Sequence, residues 1–87
     1  MAKYLIINAD DCGLAPGVNR AIIELYEAGI IRSTSLMVNM PGFEDAISRL
    51  RQAPGLGIGL HFNISSGTPI SPAHWVPSLV NQEGEFS

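Results

Sequence analysis

Positive charge is scarce in this chain: five Lys and Arg stand against eight Asp and Glu in 87 residues, for a formal net charge of −3, and no basic cluster is present. Nucleic-acid binding needs a Lys/Arg patch to neutralise phosphates, so that class of function is set aside, and binding to anionic membranes is disfavoured on the same ground. No apolar run approaches the ~20 residues of a membrane span. The N-terminal "MAKYLIINADD" turns acidic before a signal-peptide pattern is completed. The cytoplasm is therefore the expected compartment. The single cysteine, Cys12, has no partner for an internal disulfide, which fits a reducing environment.

What is present is apolar. The hydrophobic fraction is 46% and the mean hydropathy is +0.21, too apolar for a disordered chain. A packed α/β domain over residues 1–87 is expected, although a chain this short buries only ~60–65% of its unfolded surface. Tyr4 to Ala9 reads as a central parallel strand covered on both faces. After the breakers Gly13 and Pro16, the apolar residues Val18, Ile22, Leu25 and Tyr26 recur at helical offsets, and Gly29 is a stop signal, predicting a helix over 16–28. "STSLMVNM" predicts a second strand closing near Asn39. Phe43, Ala46, Ile47 and Leu50 trace a second helical face that ends at Pro54-Gly55, and "LGIGLHFN" predicts a third strand.

The order βαβαβ implies a parallel sheet with right-handed crossovers, so all three strands finish at one edge. Asp10 and Asp11, Asn39, and His61 with Asn63 then gather where α/β folds place their sites. Beyond Asn63, residues 64–87 carry three prolines, two glycines and five serines with no sustained period and read as loop. A three-stranded sheet with open edges and a long loop looks incomplete or oligomeric.

Adjacent carboxylates can divide labour, one holding a cation and the other accepting a proton from water. His61 supplies a nitrogen donor, giving an Asp/His set suited to Zn²⁺, or to Mg²⁺ where waters fill much of the shell. The plainer readings stand beside this one. "Asp-Asp-x-Gly" also describes an Asx-turn or a helix cap, and a strand-end histidine is often only hydrogen-bonded. Gly57 and Gly59 read as packing glycines in a tight sheet, Cys12 as a small buried side chain, and His74 and Trp75 as loop residues. Asn39 and Asn63 are candidate substrate contacts.

Four separated segments, "NADDCGLAPGVNRAI", "GIIRSTSLMVNMP", "LGIGLHFNISSGTPI" and "PSLV", together resemble the N-terminal third of the YdjC/ChbG-like carbohydrate deacetylases, which remove N-acetyl groups from sugars such as chitooligosaccharides. The resemblance implies a β/α barrel with a divalent metal at the strand C-termini and commonly a dimer. By position it makes Asp10 the catalytic base and Asp11 and His61 metal ligands, with a further metal histidine downstream of this region. It also implies that the metal polarises the acetyl carbonyl and acidifies a bound water, whose proton passes to Asp10. A barrel typically needs ~250 residues, so this chain is expected to be an N-terminal piece of one. Cys12 departs from the family, which usually has an aromatic there. Two other readings remain open: a truncated, non-catalytic fragment that binds metal or self-associates, and a phosphoryl-transfer enzyme, which lacks a phosphate-cradling loop with a lysine.

Overall fold

Proline and glycine set the helix boundaries. The computed structural model describes residues 2–87. Its order is β1 (Asn8–Cys12), α1 (Pro16–Glu27), β2 (Ser33–Leu36), α2 (Phe43–Leu50), β3 (Gly57–Leu60) and a 3₁₀ turn at Ala73–Trp75. Pro16 occupies the first turn of α1, where its missing N–H leaves nothing unpaired. Gly29, at φ 77°, ends that helix as its amide and that of Ile30 turn back to the carbonyls of Tyr26 and Leu25. α2 carries Glu44 and Asp45 in its first turn and Arg49 in its last, charges that complement the helix dipole.

The three strands pair in parallel in the order β1-β2-β3. The fold is therefore α/β. The core lies between the two helices and one face of the sheet, where Cys12, Ile22, Leu36, Ala46, Leu50 and Leu56 are buried together. Thr34 is buried on that face as well, and its hydroxyl is satisfied by donating to the Ala9 carbonyl at 2.7 Å. The opposite face is small and polar: Asn8 pairs with Ser33, and Ser33 and Ser35 pair with Gly57 and Gly59.

The first strand differs from expectation. It begins at Asn8 and lies at an edge, with β2 in the centre. Tyr4, Leu5 and Ile6 are 92%, 84% and 83% exposed. The reason is register: β2 opens at Ser33, which pairs with Asn8, so the residues before Asn8 have no ladder partner on that side. Apolar composition signals burial only where a second surface meets it. Ile58 and Leu60 of β3, with no helix over them, are likewise exposed. The segment 64–87 is tied down by turns, by an isolated bridge between Val80 and Phe86, and by the Phe86 amide donating to the Gly67 carbonyl at 2.8 Å.

One buried polar side chain joins the layers. Asn19 of α1, 1% exposed, accepts from the Gly13 amide at 2.7 Å and faces the Cys12 thiol at 3.8 Å. Its Nδ2 donates to the Gly42 carbonyl at 2.8 Å and to Asp45 Oδ2 at 3.1 Å. Both halves of the amide are satisfied, which a buried amide needs if it is not to cost stability.

Two expectations follow from these contacts. Gly13 sits at φ 94°, and a Cβ there would collide with the Met37 carbonyl oxygen, so Gly13→Ala is expected to lower stability by about 2 kcal/mol or more in urea unfolding. A fully stable Gly13→Ala protein would contradict the turn geometry. Asp45 accepts from Arg49 Nε at 2.7 Å and from Asn19, which together hold its carboxyl below the ordinary 3.8. Because the folded value is the lower one, this contribution is complete above the ordinary value and is lost as pH falls through the folded value. Acid unfolding followed by circular dichroism is expected to show a shallower acid limb in Asp45→Asn than in the parent.

Candidate functional site

The acidic doublet forms a β-bulge. Ala9 pairs with Thr34 and Cys12 with Leu36, so Asp10 and Asp11 together span what Ser35 alone spans on β2. Regular alternation would send neighbouring residues to opposite faces. The extra residue instead lets Ala9 and Cys12 both turn to the helices and leaves the two carboxylates to the open face. Asp11 adopts φ 66°, the one non-glycine residue with positive φ among the described residues. Aspartate tolerates that region better than most side chains, but the conformation still costs of order 1 kcal/mol.

The bulge aims Asp11 at His61. Asp11 Oδ1 lies 3.3 Å from His61 Nδ1, and both side chains are partly exposed. The His61 backbone amide continues the sheet ladder by donating to the Leu36 carbonyl at 2.9 Å, which fixes where its ring begins. Yet Nδ1 itself is shielded from solvent and makes no hydrogen bond. A carboxylate oxygen and an imidazole nitrogen, both atom types that can serve as metal donors, thus lie close together without hydrogen-bond geometry between them. Donors on one tetrahedral or octahedral divalent ion sit roughly 3.0–3.4 Å apart, so the pair suits a cation in both spacing and donor type. Among the described residues no group of three His, Cys, Asp or Glu side chains converges, so the pair supplies two protein donors.

Asp10 is held separately. Asn8 Nδ2 donates to Asp10 Oδ1 at 3.0 Å and to Ser35 Oγ at 3.1 Å, which orients the carboxylate along the open face. Oδ2 is left for other partners. Gly59 lies on the same face, and a Cβ added there would meet nothing within 4 Å. The packing role expected for it is therefore not required by its surroundings, and the floor of the face stays low.

Asn39 and Asn63 come together, but mainly on each other and on the following loop. Asn63 Nδ2 donates to Asn39 Oδ1 at 3.0 Å and to the Ser66 carbonyl at 2.8 Å, while its Oδ1 accepts from the Ser65 and Ser66 amides. Asn39 Nδ2 donates to the carbonyls of Ser66 and Thr68. Both residues line, with His61, a largely apolar cleft of about 420 Å³ whose walls include Phe62, Ile70 and Phe86. Their amides anchor the loop that borders the cleft.

His74 lies on the 3₁₀ turn, edge-on to Trp75, and lines a different depression from His61. Cys12 is buried, and burial pushes its thiol above the ordinary 9.0, so it packs as a neutral side chain. Sequence reasoning did not single out Asn8 or Asn19. Asn19 shares helical offsets with Ile22, Ile23 and Tyr26, and a polar residue on an apolar helical face was the available signal.

The likeness to known proteins is extensive. The YdjC-like protein family matches residues 4–87. A chitooligosaccharide deacetylase of Serratia marcescens is 49% identical over 86 residues, 99% of this chain and 33% of that protein. A carbohydrate deacetylase of Thermoanaerobacter pseudethanolicus is 46% identical over 84 residues, 97% of this chain and 34% of that protein. A crystal structure from Enterococcus faecalis V583, described provisionally as a cellobiose-phosphate cleavage protein, superposes with a TM-score of 0.87 at 42% identity, covering 93% of this chain and 32% of the other. The chain thus spans about a third of the length of these relatives. With its parallel sheet, its acidic bulge and this match over nearly every residue, the chain belongs to the YdjC-like family.

Proposed function

We propose that this chain carries the cation-holding and proton-accepting part of a metal-dependent carbohydrate deacetylase acting on N-acetylated sugars such as chitooligosaccharides. The observation that carries the reading is the 3.3 Å approach of Asp11 Oδ1 to an otherwise unbonded His61 Nδ1, beside a second carboxylate on the same face. The names of the relatives supply the substrate class. Asp11 and His61 would hold the ion, Mg²⁺ or Zn²⁺, with the rest of its shell left to water, to substrate or to a histidine outside this region. A bound divalent ion supplies polarisation of the acetyl carbonyl and acidifies water.

The chain's own residues do the rest. Asn8 occupies Asp10 Oδ1, which leaves Oδ2 to take the proton of the attacking water. The hydroxyl adds to the acetyl carbon, and as the C–N bond breaks the proton held on Asp10 passes to the leaving nitrogen, so that acetate and the free amine depart and Asp10 is again a carboxylate. The Asn39–Asn63 pair holds the loop at 64–68 against the cleft, where either amide can exchange a loop contact for a sugar hydroxyl.

The second reading is a non-catalytic fragment that binds metal or associates with itself. It is favoured by the two-donor count among the described residues. The same proposal places the protein in the cytoplasm as a homodimer. Among the described residues no helix is long and apolar enough to cross a membrane, and Leu5, Ile6, Leu60 and Phe62 expose apolar surface for association.

Zn²⁺ titration followed by calorimetry is expected to show affinity weakened more than about tenfold by Asp11→Asn and by His61→Ala, with Asp10→Asn within about twofold of the parent. Acetate release from N-acetylated chitooligosaccharides is expected to require added divalent metal and to be lost in Asp10→Asn. Binding without turnover would favour the non-catalytic reading, and an affinity indifferent to His61→Ala would remove the site assignment. Sedimentation is expected to find a dimer; a stable folded monomer would refute the association.

A further inference from the structure

The cost of holding Asp11 in the left-handed region has to be offset by whatever fixes the backbone around it. Three bonds do so on its C-terminal side. The Leu14 amide donates to the Asp11 carbonyl at 3.1 Å, the Met37 amide to the Cys12 carbonyl at 2.7 Å, and the Gly13 amide to Asn19 Oδ1 at 2.7 Å. The first two are backbone to backbone. Among the described residues, Asn19 is the side chain that bonds the backbone of Asp11, Cys12 or Gly13.

The Asn19 amide is not free to turn. Its Nδ2 is held by the Gly42 carbonyl and by Asp45, and Asp45 is in turn held by Arg49 at 2.7 Å. The orientation of Oδ1 is thereby set from α2. A continuous set of contacts runs from Arg49 through Asp45 and Asn19 to Gly13, two residues from the carboxylate that meets His61. We propose that Asn19 is a positioning residue for the Asp11/His61 pair: by fixing the Gly13 amide it holds the bulge that aims Asp11 at His61. This rests on the reading of the pair as a cation site, but the positioning can be read without metal.

The test compares Asn19→Ser with Leu50→Ala, a truncation on α2 that removes core packing but none of the bonds to Asn19 and so controls for lost stability and for loosening of that helix. Below the unfolding temperature of each variant, Zn²⁺ affinity is expected to fall about tenfold in Asn19→Ser and to stay within about twofold in Leu50→Ala. Metal-free protein gives the second readout: the ¹⁵N shift of His61 Nδ1 is expected to move in Asn19→Ser and in Asp11→Asn, and not in Leu50→Ala. If Asn19→Ser does not fold, Asp45→Ala replaces it, since it removes one of the two partners of Nδ2, leaving the Gly42 carbonyl, and keeps the Gly13 bond possible. A smaller loss of affinity and a shift in the same direction are then expected.

Equal effects in the Asn19 and Leu50 variants, or an unmoved His61 signal in the Asn19 or Asp45 variant, would overturn the proposal. A parent protein that binds no Zn²⁺ would instead overturn the cation site. The metal-free His61 shift would still decide whether Asn19 positions the pair.

Discussion

The amide of Asn19 is the fastening between the helical layer and the working edge of the sheet. A carboxamide in an apolar interior is costly unless both its oxygen and its nitrogen find partners, and here each partner belongs to a different piece of the fold. The oxygen faces the turn that leaves β1, and the nitrogen faces the start of α2. Satisfying one side chain thus fixes the relative placement of three segments. Apolar contacts among Ile22, Ala46 and Leu50 bring the layers together without direction; the amide supplies the direction.

Upon that fastening rests a local departure from regular structure. The bulge at Asp10 and Asp11 interrupts the β1–β2 ladder, and its positive φ is unfavourable for a residue with a Cβ. What it yields is two carboxylates on one face from consecutive residues, an arrangement that an undistorted strand forbids. The proposed site is formed by a defect in the strand, and the neighbouring Gly13 and buried Asn19 are the proposed means of holding that defect in place.

The βαβαβ order and both helices were legible in the sequence because Pro16, Gly29 and Pro54 punctuate clear helical periodicity. The extent of β1 was not, because a run of apolar residues carries no information on whether a neighbouring strand reaches it. Asp10, Asp11 and His61 stood out as chemistry-bearing residues at strand ends. The pairing of Asp11 rather than Asp10 with His61 was implied by the family resemblance and not by spacing, because it depends on the bulge, whose only trace in sequence is an aspartate, which tolerates positive φ, two residues before a glycine. The work of Asn39 and Asn63 was hidden for a different reason. Their partners are backbone carbonyls and amides at 65–68, which any residue type supplies.

The strand order bears on how the sheet holds together. Asp11 comes from β1 and His61 from just beyond β3, the two outer strands, with β2 running between them. Their backbones stand about 10 Å apart at ordinary strand spacing, and only the side chains close the gap. Any species gripped by both therefore acts as a crossbar over the central strand. Occupancy would resist the splaying of the outer strands and raise the midpoint of thermal unfolding in proportion to the logarithm of free ligand, so that a full site and a cohesive sheet become one condition.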